Sequence, residues 1–410
     1  MNTLYVGIDV SCKNNVAYIM KPDGEKQSSF SVPNNRVGAE TLVDRVVLSL
    51  RQLFLPKVVI GMESTSVYGE NLMYFLRESG KLGSFERNLH MLNPKQVKKF
   101  KDSYSDLPKN DFVDAFVIAD HLRFGRITSE VYMGDYRYEA LKTLTRARHQ
   151  AVEELTREKQ RFLNHLFMKF SSMAQEKLLS DNFGATALAL LEEFETLDEL
   201  AYMDTDELTA FIRKHGKSHF DDVEGLSEAL QKAAKDSYRP PTVIANSVNQ
   251  VLAISMSTIR LMQKQVKEYD KAIQKQLSLI PNTLLSVKGI GLVYAAGILS
   301  EIGDINRFKG QASLAKYAGL SWTQHQSGNF EAENTKLIKS GNRHLRYYLC
   351  EAANSLRRCD SEFKRYYNLK FHEVNKFQHR RALALTARKL VRLVYTLLKT
   401  NRLYIPPEEY

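Results

Sequence analysis

Two-residue and three-to-four-residue apolar periods occupy different parts of this 410-residue chain, which limits it to a mixed α/β segment followed by a helical one. In the first 135 residues, Leu4–Val10, Asn15–Lys21 and Lys26–Val32 read as short strands, with Pro22-Asp23-Gly24-Glu25 as the turn between the last two. Val37–Leu53 has helical periodicity, Lys57–Glu63 reads as a buried strand, Tyr68–Glu78 as a helix, Ser84–Leu92 as a strand and Lys109–Arg123 as a helix. A three-stranded meander followed by alternating helices and strands is the order expected of a ribonuclease H-type fold.

From Tyr138 to about Phe170 the pattern becomes one long helix, with Leu141, Leu144, Ala151, Leu155 and Phe162 on a shared stripe. A second long helix repeats Leu252, Ile259, Val266, Ile273 and Ile280 at seven-residue spacing, with Met262 and Tyr269 at d-like positions. The two are expected to pack on each other or on another copy. Between them, residues 176–240 read as a helical, acidic-leaning insertion that ends at Pro240-Pro241. The chain thus divides into 1–135, 136–280 and a mainly helical 281–410.

Charge is unevenly placed. The chain carries a formal +11, and from Gly341 to Tyr410 there are 15 Lys and Arg against 6 Asp and Glu, which is +9. Aromatics such as Tyr347, Tyr348, Phe363, Tyr366, Tyr367 and Phe371 are interleaved with that charge, a composition suited to phosphate backbones. The segments Gln378–Ala382 and Arg388–Arg392 form a basic amphipathic helix in which Arg380, Arg381, Arg388, Lys389 and Arg392 are candidate contacts. No apolar run reaches the length of a membrane span. The N-terminus opens on a strand rather than a leader, and Cys12, Cys350 and Cys359 lack metal-ligand spacing, so a reduced cytoplasmic setting is expected.

The acids carry the chemistry. In Val6-Gly7-Ile8-Asp9-Val10, alternation puts Gly7 and Asp9 on one face; in Val58-Val59-Ile60-Gly61-Met62-Glu63 it puts Val59, Gly61 and Glu63 together. An acid closing an apolar strand is costly to bury unpartnered, so both point to a polar cleft. Asp111 and Asp114, three apart on a helix, share a face, with Phe112, Ala115, Phe116 and Ala119 expected to pack inward. Such clustered carboxylates suit two Mg²⁺ ions about 4 Å apart in phosphoryl transfer.

The runs Gly7-Ile8-Asp9-Val10-Ser11, Met62-Glu63-Ser64-Thr65 and Asn110-Asp111-Phe112-Val113-Asp114-Ala115 resemble the DEDD transposases, whose N-terminal domain is similar to the Holliday-junction resolvase RuvC. In the C-terminal half the match continues through Lys288-Gly289-Ile290-Gly291, Glu301–Phe308, Leu314–Leu320, Gln326-Ser327-Gly328 and Lys339–Arg346. These resemble the transposase domain of the same insertion-sequence family, which includes the pilin-gene invertase. Lys288 stands where relatives usually have proline.

The resemblance implies Asp9, Glu63, Asp111 and Asp114 as the metal quartet and Ser327 as the nucleophile that holds DNA as a phosphoserine. It further implies double-stranded donor and target DNA, guidance by a structured bridge RNA, and a homo-oligomer, dimer or tetramer. Lys288, Gly289 and Gly291 resemble a helix-hairpin-helix turn, and Arg343 and Arg346 are further candidate nucleic-acid contacts. Three other readings are weighed against this one. A RuvC-like nuclease using water would need the acids but not Ser327. A sugar kinase would need a second phosphate loop, which is not found in the sequence. A non-catalytic nucleic-acid scaffold would not depend on Mg²⁺.

Overall fold

The computed structural model describes residues 2–64, 67–105, 107–125, 135–216, 220–322, 326–327, 330–331 and 337–406. The chain forms two compact units, 1–133 and 134–410.

The first unit is built on one sheet. Strands β1 (Thr3–Val10), β2 (Asn14–Met20) and β3 (Lys26–Pro33) form the antiparallel meander; β4 (Lys57–Glu63) and β5 (Glu86–Leu92) add in parallel, giving the order β3-β2-β1-β4-β5. Helix α1 (Arg36–Gln52), capped by the Asn35 side chain, packs Leu42, Val43, Val46 and Leu50 against the face made by Leu4, Val6, Ile8, Val58 and Ile60. Beside it run α2 (Glu70–Glu78) and the short α3 (Gly80–Gly83); a 3₁₀ turn over Val67–Gly69 takes the place of the first turn expected at Tyr68.

The opposite face holds α4 (Pro94–Lys101) and α5 (Asp111–Phe124), whose Val97, Val117, Ile118 and Leu122 share a second core with Val59 and Leu92. Apolar periodicity alone does not mark α4. Phe112 is 44% exposed, contrary to its expected inward packing, whereas Ala115 and Ala119 are fully buried. The helix begins at Asp111, so Phe112 falls on the outer side of its first turn.

The second unit is helical. Helices α6 (Tyr136–Lys169) and α12 (Thr242–Leu277) pack on each other and run antiparallel; their 34 and 36 residues span roughly 50 Å each at 1.5 Å per residue. Arg148 pairs with Asp270 across them, and Ser255 donates to Glu158. At one end, Phe162, Leu166, Leu252 and Ile259 share a core with α7 (Ser171–Gln175), α8 (Ala185–Glu193), α9 (Leu197–Tyr202), α10 (Thr205–Gly216) and α11 (Val223–Asp236). The insertion therefore closes on the helix pair. At the other end, Leu141, Ile273 and Leu277 join the core of the C-terminal helices. The heptad register overruns the helix: α12 stops at Leu277, and Ile280 is buried in that C-terminal core from outside any helix.

The C-terminal helices are α13 (Leu292–Ile302), α14 (Gln311–Tyr317), α15 (Arg343–Cys359), α16 (Ser361–His372) and α17 (Gln378–Thr400). Between α14 and α15 lie two strand pairs, β6 (Ser321–Trp322) with β9 (Leu337–Ile338) and β7 (Gln326–Ser327) with β8 (Phe330–Glu331). No helix among the described residues is long and apolar enough to cross a membrane.

Candidate active site

Strand register and a pair of glycines assemble the acids. β1 and β4 run parallel with Gly7 opposite Gly61 and Ile8 opposite Met62, so the next residues, Asp9 and Glu63, stand at adjacent strand ends. Alternation puts both acids on the face covered by α5. That helix approaches unusually closely: a Cβ on Gly7 would fall 2.1 Å from the Ala115 carbonyl oxygen and 2.4 Å from the Ala119 nitrogen, and one on Gly61 would fall 2.8 Å from Leu122 Cδ2. No side chain can occupy Gly7 without moving the helix backbone. Its absence lets the first turn of α5, with Asp111 and Asp114, come near Asp9.

Local hydrogen bonds hold the ends of these elements. Asn110 caps α5, its Oδ1 accepting from the Val113 N–H at 2.9 Å. The turn after β1 is closed by Ser11, whose hydroxyl donates to the Asn14 carbonyl at 2.7 Å. Asn34 donates to the Ser11 carbonyl at 2.8 Å and to the Tyr68 carbonyl at 3.2 Å, tying the loops beyond Asp9 and Glu63 together.

Burial and neighbouring charge both act on the strand-end acids. Burial, followed by the charges of Asp114 and Asp111, pushes the Asp9 carboxyl up to about 6. Glu63 is raised by burial, then by Asp9 and Asp114. Lys101 forms an ion pair with Asp114, Nζ to Oδ1 2.5 Å. The sequence pattern missed this lysine because it missed α4; the readable signal was Asn93-Pro94, an N-cap followed by proline at the first helical position. The donors are hard carboxylate oxygens of the kind Mg²⁺ takes, although among the described residues no three acidic, histidine or cysteine side chains stand as a ligand set for one ion.

Replacing Gly7 by Ala is expected to lower the stability of this unit by about 3 kcal/mol, since the obstructing atoms are backbone and cannot rotate away. Urea denaturation followed by circular dichroism measures this. A neutral substitution would contradict the close approach of α5.

Known proteins match both units. A transposase family model of the DEDD type matches residues 6–170, and the "Transposase IS116/IS110/IS902 family" model matches residues 282–368. The chain belongs to the IS116/IS110/IS902 transposase family. Transposases cleave and rejoin DNA, so the chain is an enzyme of that class. It is 27% identical to the insertion element IS900 uncharacterized 42 kDa protein of Mycobacterium paratuberculosis, over 74% of this chain and 75% of that one. It is 22% identical to the insertion element IS116 uncharacterized 44.8 kDa protein of Streptomyces clavuligerus, over 98% and 96%. The insertion element IS110 uncharacterized 43.6 kDa protein of Streptomyces coelicolor is 23% identical, over 98% and 95%.

In this transposase the backbone of Ser327 lies in β7, opposite Phe330 of β8; its side chain lies outside the described residues. The two ends of that segment are clamped. Arg346 Nη1 donates to the carbonyls of Ala318 at 3.2 Å and Lys339 at 3.0 Å, and the Asn342 N–H donates to the Tyr317 carbonyl at 2.7 Å. The Asn342 side chain caps α15 and donates to Glu301 at 2.7 Å.

Glu301 has a side chain with no exposed surface, paired to Arg146 of α6 through Nε–Oε1 at 2.7 Å and Nη2–Oε2 at 2.9 Å. Burial opposes its ionisation, yet Arg146 and Asn342 hold its carboxyl below the ordinary value. Arg146→Met strands that buried charge and is expected to cost about 3 kcal/mol, read from the denaturation midpoint. The double variant Arg146→Met/Glu301→Met is expected to regain part of the loss. Equal stability of Arg146→Met and wild type would show that the pair contributes nothing.

The transposase's candidate nucleic-acid contacts are placed unequally. Lys288, Arg343, Arg380 and Arg392 are exposed. Gly289 has φ of +108° and packs against Leu356 and Cys359, while Gly291 caps α13 with open space beside it. Only a 3₁₀ turn, Leu284–Ser286, directly precedes that glycine turn, where a helix-hairpin-helix has a full helix. Arg346 is engaged by the carbonyls named above. Arg381 pairs with Glu373 at 2.8 Å, Arg388 donates to the Gln311 carbonyl at 3.2 Å, and Lys389 pairs with Glu362 at 2.6 Å and lies over the Tyr366 ring.

Proposed function

We propose that this transposase recombines DNA through a Mg²⁺-dependent carboxylate site formed by Asp9, Glu63, Asp111 and Asp114 on a ribonuclease H-like, RuvC-like unit, with Ser327 as nucleophile and a bridge RNA as guide. The reading rests chiefly on one observation: Asp9 and Glu63 stand at adjacent ends of β1 and β4, on the face that the helix starting with Asp111 and Asp114 approaches closely at Gly7. Like charges held together in this way gain from a cation.

When bound, divalent cations would lower the cost of charge developing on the attacking and leaving oxygens. The acids hold that position because strand register and the close approach of α5 fix them. Ser327 Oγ attacks a DNA phosphodiester phosphorus; the new O–P bond replaces one P–O bond to sugar, and the leaving sugar oxygen takes up a proton. A strand hydroxyl from the partner duplex then attacks the phosphoserine, restoring the serine and joining the new strands. Exposed Lys288, Arg343, Arg380 and Arg392 supply phosphate contacts in this reading. The enzyme acts as a homo-oligomer, dimer or tetramer.

The test is strand exchange between DNA carrying the element's ends and its target, with and without Mg²⁺ and with and without RNA transcribed from the element's flanks. Exchange is expected only when both are present. Exchange in excess EDTA would remove the metal from the account, and exchange without RNA would remove the guide.

A further inference from the structure

Of the four lysines on α4, Lys101 alone pairs with an acid of the cluster. Val97 is buried in the core shared with α5, and Phe100 stacks on the buried His121 of α5, ring centroids 4.7 Å apart. Residue 101 follows Val97 by four and so shares its face. Lys95, Lys98 and Lys99 are exposed. Helix packing thus delivers one ammonium to Asp114, where it is 26% exposed and its partner 36%. Its charge reaches Asp9 and Glu63 as well, opposing part of the rise that burial and neighbouring acids impose on them.

A Lys–Asp pair this exposed contributes little stability of its own. Placed among acids, the ammonium has a second consequence: it occupies a carboxylate oxygen that a metal would need, and its charge repels an incoming cation. We propose that Lys101 is a resident counter-ion of the carboxylate site, holding Asp114 until a divalent cation displaces it. This rests on the metal-site reading above. The exchange is ionic, with no bond made or broken. It also accounts for acids that are electrostatically coupled yet not gathered as a ligand set.

Mn²⁺ binding to the full chain, followed by electron paramagnetic resonance of free Mn²⁺, tests this directly without requiring activity. Lys101→Gln is expected to bind Mn²⁺ about tenfold more tightly than wild type. Lys101→Arg, which keeps the charge, is expected to stay at wild-type affinity, as is Lys98→Gln, which removes a solvent-facing charge from the same helix. Asp9→Asn is expected to weaken binding. If Asp9→Asn weakens binding while Lys101→Gln binds no more tightly than wild type, the counter-ion role is overturned and the metal site stands. If Asp9→Asn leaves binding unchanged, the site reading itself fails. Should Lys101→Gln fold poorly, Lys101→Met with the same titration and a Mn²⁺-dependent thermal shift decides the same question.

Discussion

With Ser327 as the proposed nucleophile, Ser327→Ala is expected to lower strand exchange on the order of 10⁴-fold or more, because in that proposal no other group replaces it. The backbone at this position is a β-strand residue paired with Phe330, and alanine fits such a position without strain. The variant should therefore fold, bind DNA and keep its divalent-cation affinity while losing the covalent protein–DNA species. Reaction on end-labelled DNA, quenched in denaturant and resolved by gel, reads this out. Retained cleavage without a covalent species would favour hydrolysis by water.

Asp9→Asn is expected to lower strand cleavage about 10³-fold, the equivalent of several kcal/mol of lost transition-state stabilisation. In the same variant the metal-free protein should become more stable. Burial, followed by the charges of Asp114 and Asp111, pushes the folded Asp9 carboxyl up from 3.8 to about 6. The folded state therefore binds more protons through that window, and stability falls as pH rises from about 3.8 to 6. Above 6 the full penalty remains, and asparagine removes it. Because Asp9 is only half-buried, solvent screening reduces the gain to about 1 kcal/mol at pH 7.5, and none is expected below pH 3.8. Opposite changes in activity and stability distinguish a working acid from a structural one. A loss of both would mark Asp9 as part of the scaffold.

Much of the first unit could be read from residue order because its pattern is local. Alternation over Thr3–Val10 and Lys57–Glu63 gives the facing of Asp9 and Glu63, and the Pro22–Glu25 turn sets the meander. Helix α4 escaped because its surface is largely lysine, leaving too few apolar positions to set a period; with it went Lys101. Phe112 is apolar yet exposed because α5 begins at Asp111, which leaves residue 112 on the outer side of the first turn. Ile280 fits a heptad that the backbone has already left.

Long-range pairings were also beyond reach. Glu301 and Arg146 are 155 positions apart, and nothing near either one names the other. Arg346 reads as a phosphate contact, but its acceptors are carbonyls of Ala318 and Lys339, groups every residue carries. Likewise, nothing about Gly7 alone reveals that a helix backbone will lie against it; only its pairing with Gly61 across β1 and β4 hints at a groove.

Whether the acids form a single coupled site is most directly tested by a carbon-detected NMR titration of the Asp9 carboxyl, with and without Mg²⁺. An inflection near 6 in the metal-free protein that moves well downward when Mg²⁺ is added is the expected result. An Asp9 that titrates like a solvent-exposed aspartate and ignores Mg²⁺ would contradict the account.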